Sequence, residues 1–227
     1  MIAEENLDIS EVPRDCCIDR QIISLISELM KNTAPYFKSS VLSVDIKKHR
    51  LNEDMLSQIF IEQAQILIRK KEYPFNINSQ YRDIKNGSKG YSDFYFYPNE
   101  QGVSTASLFS VESKRLPSPD KSREKEYVIG IKNNGGIERY KTEKHGKGLG
   151  VGGMLGFIES ETTTYWLNKI NTWICDQSEI DENWYPSEIL IENDERSDYS
   201  FLVSTVQKTS KQEMTLDHLW ITIIRDI

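Results

Sequence analysis

The chain has 227 residues, of which 38% are hydrophobic and 10% aromatic, so it can bury a sizeable core and is not a disordered chain. Its net charge is −7 and its three cysteines are Cys16, Cys17 and Cys175, an odd count that favours a reducing, cytoplasmic compartment. No apolar run approaches the roughly 20 residues that span a bilayer, and the acidic N-terminus lacks the apolar centre of a secretory signal; we expect no membrane partner.

Residues 1–50 are predicted to form an extension that precedes the main domain. Asp19 is a suitable cap for a first helix, because the apolar residues that follow it recur at helical spacing. Leu42, Val44 and Ile46 then alternate with polar residues, which predicts a short strand.

The main domain, predicted over residues 51–227, opens with a helix over 53–71. Asn52 stands where a helix cap is expected. Patterns of period two then predict three strands, over residues 73–81, 90–97 and 107–116. Turn-forming residues separate the last two of these strands, which indicates an antiparallel hairpin.

A mixed α/β pattern continues to the end of the chain. A charged helix is predicted over residues 123–143, with a break at Gly135 and Gly136. It would link the third strand to an apolar strand over 150–158, as crossovers between parallel strands do. The tail is predicted to add one helix and three strands, over residues 161–176, 187–192, 199–206 and 214–224. The expected fold class is therefore α/β, a mixed sheet flanked by helices, with an N-terminal helical extension and a β-rich C-terminal part.

Three side chains of the predicted hairpin could form an active site. Glu112 and Lys114 are two residues apart on one strand, so they point to the same face. Asp93 begins the preceding strand, where an antiparallel partner would bring it beside Glu112. Two carboxylates suit a hard cation such as Mg²⁺, which activates water and polarises a phosphoryl group. A neighbouring lysine can position the water and stabilise developing negative charge.

The two short segments Ser92-Asp93 and Glu112-Ser113-Lys114 resemble the signature of the PD-(D/E)XK nuclease superfamily, which has the restriction-endonuclease-like fold. The resemblance implies that Asp93 and Glu112 hold Mg²⁺ or Mn²⁺ together with the backbone carbonyl of Ser113. It also implies that Lys114 assists the attacking water. Ser92 stands where the eponymous proline would be, and that proline supplies no ligand.

This superfamily often adds an acidic residue from the first helix of the core. On a helical wheel, Glu53 lies about 55° from the apolar direction of helix 53–71 and Glu62 about 125° from it. Glu53 is therefore the better candidate for a further metal ligand. The alternative role for Glu53 is that of an acid stabilising the first helical turn, and both interpretations stay open.

A basic segment follows the predicted hairpin. Residues 113–147 contain ten Lys and Arg against five Asp and Glu, which would suit contact with phosphates or a solvated helix of mixed charge. The candidate nucleic-acid-binding residues are Arg115, Arg139, Lys141 and Lys144. For Arg139 the alternative is a surface ion pair with Glu143.

The resemblance covers residues 51–158, the expected nuclease core. It implies a metal-dependent nuclease that cleaves phosphodiester bonds, with DNA favoured over RNA as the substrate. Text flanking the motif is also similar to a bacterial branch linked to phage defence, in which an ATPase or sensor would be the partner. Nothing in the sequence indicates a dedicated target-reading domain, so the small size predicts a homodimer or a larger assembly that supplies recognition. The alternatives are a non-catalytic subunit that keeps the nuclease fold to bind a partner, and an RNA-directed toxin.

Overall fold

The computed structural model describes residues 16–44, 51–82, 90–100 and 107–224. Within them, seven strands form one open, mixed sheet in the order β1-β2-β3-β4-β7-β6-β5. The strands are β1 Phe75–Arg82, β2 Tyr91–Pro98, β3 Phe109–Leu116, β4 Val151–Ile158, β5 Ile191–Glu195, β6 Ser200–Gln207 and β7 Glu213–Thr222. The α-helices are α1 Cys16–Ser43, α2 Glu53–Lys71, α3 Gly136–Lys141 and α4 Thr163–Ile180. Short 3₁₀ helices occupy Lys121–Tyr127 and Pro186–Glu188.

The sheet changes direction at its third strand. Strands β1, β2 and β3 are antiparallel to one another, whereas β3, β4 and β7 run parallel. Strands β6 and β5 then complete the sheet in antiparallel fashion. The predicted hairpin, the predicted crossover to the apolar strand and the α/β class are thereby confirmed.

Helices cover both faces of this sheet, since alternate residues of each strand point to opposite sides. Leu155 and Phe157 of β4 belong to the core cluster that α1 and α2 cover. Met154 and Ile158 of the same strand belong to the second cluster, which α3 and α4 complete. None of the helices in the described ranges is long and apolar enough to cross a membrane.

The first helix is longer than its sequence pattern predicts. Helix α1 includes Asp19, so this residue does not cap it, and it continues to Ser43, so the strand predicted around Leu42 and Val44 is wrong. Phe37 and Val41 are four residues apart and buried, as one face of a helix requires. Pro35 lies inside α1. Because proline usually ends a helix, it argues against one helix that continues to Ser43. The predicted strand residue Ile46 lies outside the described residues.

The charged segment after β3 is also not one helix. It forms the 3₁₀ helix at Lys121–Tyr127, a loop, and the six-residue helix α3. Lys132 and Asn133 adopt positive φ angles of 60° and 59°, which an α-helix does not contain. At Gly135 an added Cβ would lie 2.3 Å from the Ile129 Cα atom, so the loop closes on itself only with glycine there.

Asn52 caps α2 as predicted, and this cap fixes the end of the helix that carries Glu53. The Asn52 side chain accepts a hydrogen bond of 2.8 Å from the Met55 backbone N–H. We expect Asn52→Ala to lower the free energy of unfolding by about 1 kcal/mol, because this N–H loses its acceptor. Urea denaturation measures the difference. Asn52→Asp keeps an acceptor and is the control; equal stability of Asn52→Ala and Asn52→Asp would contradict the prediction.

Candidate active site

The register of the hairpin brings Asp93 to β3. Phe94 pairs with Val111, so Asp93 lies beside the next residues of β3. Asp93 Oδ2 accepts a hydrogen bond of 2.6 Å from the Ser113 backbone N–H. This contact holds the carboxylate against the strand that carries Glu112 and Lys114, as the sequence predicts.

The Lys114 ammonium is the centre of the cluster. Its Nζ atom lies 2.8 Å from Glu112 Oε1, 2.8 Å from the Ser113 carbonyl oxygen and 3.1 Å from Glu53 Oε1. Lys114 is only 5% exposed. A buried ammonium requires such partners, since it has left its hydration shell.

Glu53 joins the site from helix α2. Besides its contact with Lys114, its second oxygen, Oε2, accepts a hydrogen bond of 3.1 Å from the Arg115 backbone N–H. Both carboxylate oxygens therefore contact β3, and the helix N-terminus also favours the negative charge. The structure thus brings Glu53 to the cluster from the side that the helical wheel predicts. Its role as a metal ligand stays a prediction.

Arg139 and His145 close the site from the side of α3. Arg139 Nη1 donates a hydrogen bond of 2.6 Å to Glu112 Oε1, and no ion pair with Glu143 is present among the described residues. His145 Nε2 lies 3.8 Å from Glu112 Oε2. No sequence pattern places His145 here, because a single histidine in a loop has no characteristic spacing.

Gly90, the residue before β2, lies against His145 and the Lys144 carbonyl. A Cβ atom at Gly90 would lie 2.9 Å from the Lys144 carbonyl oxygen and 3.1 Å from His145 Nε2. A side chain at this position would push the histidine and the loop that carries it away. His145 lies 55 residues after Gly90 in the chain, so no local sequence pattern indicates this contact.

Burial and charge set opposite proton affinities on the two carboxylates of the hairpin. Burial and the neighbouring Glu112 charge raise the pKa of Asp93 to about 7, against the lowering effect of Lys114. For Glu112, burial acts in the raising direction, but Lys114 and Arg139 outweigh it and hold the pKa below its ordinary value. Burial lowers the pKa of His145 to about 4, so this imidazole is neutral at pH 7.

Two buried atoms of the cluster retain bonding capacity. Glu112 Oε2 and His145 Nδ1 have no hydrogen-bond partner among the described residues. A buried carboxylate oxygen without a donor is costly. Glu112 Oε2 can therefore accept one further positive or hydrogen-donating group.

The oxygens of this cluster fit a hard divalent cation if the Lys114 ammonium moves away from them. In the described ranges, no three His, Cys, Asp or Glu side chains are grouped as a metal site. However, Mg²⁺ commonly takes only one or two carboxylates and completes its shell with other oxygens. The Lys114 ammonium contacts Glu112, Glu53 and the Ser113 carbonyl, which are oxygens of the expected kind. A cation on these oxygens would require the ammonium to move aside.

A polar groove gives access to Asp93. It encloses about 430 Å³ between α2 and β1, and Gln65, Asn78 and Asp93 are among the residues that line it. The candidate site is therefore buried around Glu112 but open on the side of Asp93.

All four predicted phosphate-binding cations have partners within the fold, and that of Arg139 is Glu112. The Arg115 guanidinium donates to both oxygens of Glu159, over 2.8 and 2.5 Å. The Lys144 ammonium donates to the carbonyl oxygens of Lys132 and Asn133 over 2.8 and 2.7 Å. Both cations consequently organise the surroundings of the site.

Lys141 departs furthest from its predicted role. It is 3% exposed, forms an ion pair with Glu188 and lies 4.8 Å from the centre of a ring of Trp184. A phosphate cannot reach this ammonium in the observed conformation. The sequence pattern did not reveal the burial, because the acid that pairs with Lys141 lies 47 residues away.

Comparison with known proteins gave no match to this chain among protein-family models, curated proteins or solved structures.

The raised pKa of Asp93 predicts how stability changes with pH when a chelator removes divalent cations. Between pH 4 and 7 the folded protein binds the Asp93 proton more tightly than the unfolded chain does, so raising the pH costs stability at this residue. Asp93→Asn removes this cost. We expect the free energy of unfolding of Asp93→Asn to rise relative to wild type as the pH increases from 4 to 7. Urea denaturation at several pH values measures this, and a constant difference would contradict it.

Proposed function

We propose that the protein is a metal-dependent nuclease of the PD-(D/E)XK type, with a restriction-endonuclease-like core over residues 51–158 and DNA as its favoured substrate. One observation carries the proposal. Asp93, Glu112, Lys114 and Glu53 come from α2 and a β-hairpin, and they meet where that hairpin leads into a parallel crossover. The pattern read from the sequence and its spatial convergence are independent supports for the same chemistry.

In this proposal Asp93, Glu112 and the Ser113 carbonyl would hold Mg²⁺ or Mn²⁺, with Glu53 nearby. The bound cation would supply Lewis-acid activation of water and of the phosphoryl group. Lys114, released from Glu112, would orient the attacking water and stabilise charge on the phosphate. Arg139 would either remain on Glu112 or turn towards a phosphate, since its side chain is 23% exposed.

A non-catalytic nuclease-like subunit is the second candidate. Lys114 and Arg139 already donate to Glu112 Oε1, as they would in a purely structural ion-pair network. Such networks also perturb pKa values. The nuclease proposal is favoured by Glu112 Oε2, which is buried without a partner among the described residues, because a structural network would gain stability by satisfying it.

The cellular role, location and partners of the protein also belong to the proposal. A phage-defence role with an ATPase or sensor partner rests on the sequence resemblance. The proposed cytoplasmic location rests on the odd count of three cysteines, and the proposed homodimer rests on the small size of the chain. RNA in place of DNA would use the same residues, so substrate assays must include both.

Metal binding at the site should stabilise wild type through mass action. We expect Mn²⁺ or Mg²⁺ to raise the melting temperature of wild type progressively with concentration. Asp93→Asn and Glu112→Gln should each lose most of this increase, since each removes a negatively charged ligand. Glu192→Gln is the control, because Glu192 is exposed on β5 at the far edge of the sheet. Equal metal-induced shifts in all four proteins would contradict the assignment of the site.

Substitutions of Lys114 distinguish an enzyme from a non-catalytic subunit. We expect Lys114→Met to lose most metal-dependent cleavage while the metal-induced stabilisation survives. Lys114→Arg should also be impaired, because a displacement of about 1 Å can cost on the order of 10²-fold in rate. The measurement is cleavage of single-stranded DNA, duplex DNA and RNA with Mg²⁺ and with Mn²⁺. Wild-type turnover by Lys114→Met would exclude this lysine from the reaction, and an inactive wild type would support the non-catalytic subunit.

A further inference from the structure

A second, larger pocket lies beside the candidate active site. It encloses about 760 Å³ between the 3₁₀ helix at Lys121–Tyr127 and the loop over residues 129–134. We call it the cationic pocket, since four of its lining residues are Lys121, Arg123, Lys125 and Lys132. The pocket falls in the range of about 300–1,000 Å³ that small ligands occupy.

The two acids that line the cationic pocket are already paired. Glu126 accepts hydrogen bonds of 2.9 and 2.5 Å from Arg123, and Glu124 forms an ion pair with Lys169. Lys121 and Lys132 are exposed, and within the described ranges no carboxylate forms an ion pair with either. The pocket therefore presents net positive charge although the whole chain carries −7.

Hydrogen bonds hold the loop that forms one wall of the pocket. Glu138 Oε2 accepts hydrogen bonds from the backbone N–H groups of Gly130 and Gly135, over 3.0 and 3.1 Å. The Lys144 ammonium bonds the carbonyl oxygens of Lys132 and Asn133. These contacts hold Lys132 over the pocket and give the predicted phosphate ligand Lys144 a positioning role.

Both walls continue directly from the candidate active site. Lys121 follows β3, which carries Lys114, after a connection of four residues. Glu138, which closes the loop wall, precedes Arg139, whose side chain contacts Glu112. A hydrogen bond with Glu126 and the nearby charge of Glu53 raise the pKa of Arg123. A nucleic-acid strand that lies in the cationic pocket would thus continue to the candidate active site.

An apolar element accompanies the cations. Ile131 is 72% exposed at the pocket, and Ile129 lines it at intermediate exposure. In a duplex the base faces are stacked on one another, whereas a single strand exposes them to apolar side chains. Proteins that bind single strands combine a positive groove with aromatic side chains on which bases stack; in this pocket the exposed apolar surface belongs to isoleucine instead.

We infer that the cationic pocket binds a single-stranded segment of the nucleic acid, with its phosphates on Lys121 and Lys132 and a base against Ile131. This inference rests on the proposed nuclease function and specifies its substrate as a strand that is single-stranded next to the cleaved bond. DNA and RNA share this backbone chemistry, so the test contains both.

The test measures fluorescence anisotropy of labelled single-stranded DNA, RNA of the same sequence and duplex DNA on the full chain, in chelator, so that cleavage plays no part. We expect wild type to bind at least one of the single strands more tightly than the duplex. For Lys121→Gln/Lys132→Gln, the slope of log affinity against log salt should flatten by about 1.4, since each lost contact with a single strand contributes about 0.7.

Lys70→Gln/Lys71→Gln is the matched control. It makes the same charge change at exposed lysines at the far end of α2, about 27 Å along the helix from Glu53. This variant should keep the wild-type slope. Ile131→Ala should bind single strands more weakly at an unchanged slope, because an apolar contact releases no counterions.

The pocket inference and the nuclease proposal fail separately. Binding as expected without any cleavage by wild type in Mg²⁺ or Mn²⁺ would overturn the nuclease proposal and leave the pocket standing. An unchanged slope in Lys121→Gln/Lys132→Gln, tighter binding of the duplex, or no binding of any strand would overturn the pocket inference.

Discussion

The attraction between one buried ammonium and the oxygens around it organises this molecule. Lys114 contacts Glu112 and Ser113 on its own strand and Glu53 on α2, so one charge connects the sheet to the helix above it. Removing Lys114 or Glu112 would break the buried ion pair between them, which typically costs several kcal/mol. The same oxygens are those that a hard divalent cation prefers. The ammonium therefore stabilises the protein while occupying positions that the proposed metal would use.

The surrounding structure serves to hold these charges at fixed distances. The hairpin register places Asp93 on the Ser113 N–H, and Glu53 is bound to β3 through the Arg115 N–H. On the opposite side, Lys208 donates to the carbonyl oxygens of Gly146 and Leu149. This contact from the C-terminal part holds the loop that follows His145, so even the strands outside the expected nuclease core support the site.

The face on which each residue of the site lies was predictable from the sequence, whereas most of its partners elsewhere in the chain were not. Glu112 and Lys114 lie two apart on a strand, and Glu53 lies near the apolar face of a capped helix, so periodicity predicts their orientation. Only the resemblance to a known signature suggested that Glu53 joins the site from 61 residues before Lys114. The ion pair of Arg139 with Glu112 spans 27 residues and that of Lys141 with Glu188 spans 47; no local pattern encodes such pairs. The length of α1 was likewise not predictable, because Pro35 would be expected to end the helix. Tertiary packing of the residues on both sides of Pro35 overrides this tendency.

The most direct test of the central claim is a crystal structure of the protein grown with Mn²⁺, whose anomalous scattering locates the ion. The account predicts an ion bonded to Asp93, Glu112 and the Ser113 carbonyl at oxygen-ligand distances, with the Lys114 ammonium displaced from Glu112. An anomalous map without a peak at these oxygens at saturating Mn²⁺, with Lys114 still between Glu112 and Glu53, would contradict it. The cluster would then be a structural ion-pair network, and the metal-dependent mechanism would be excluded.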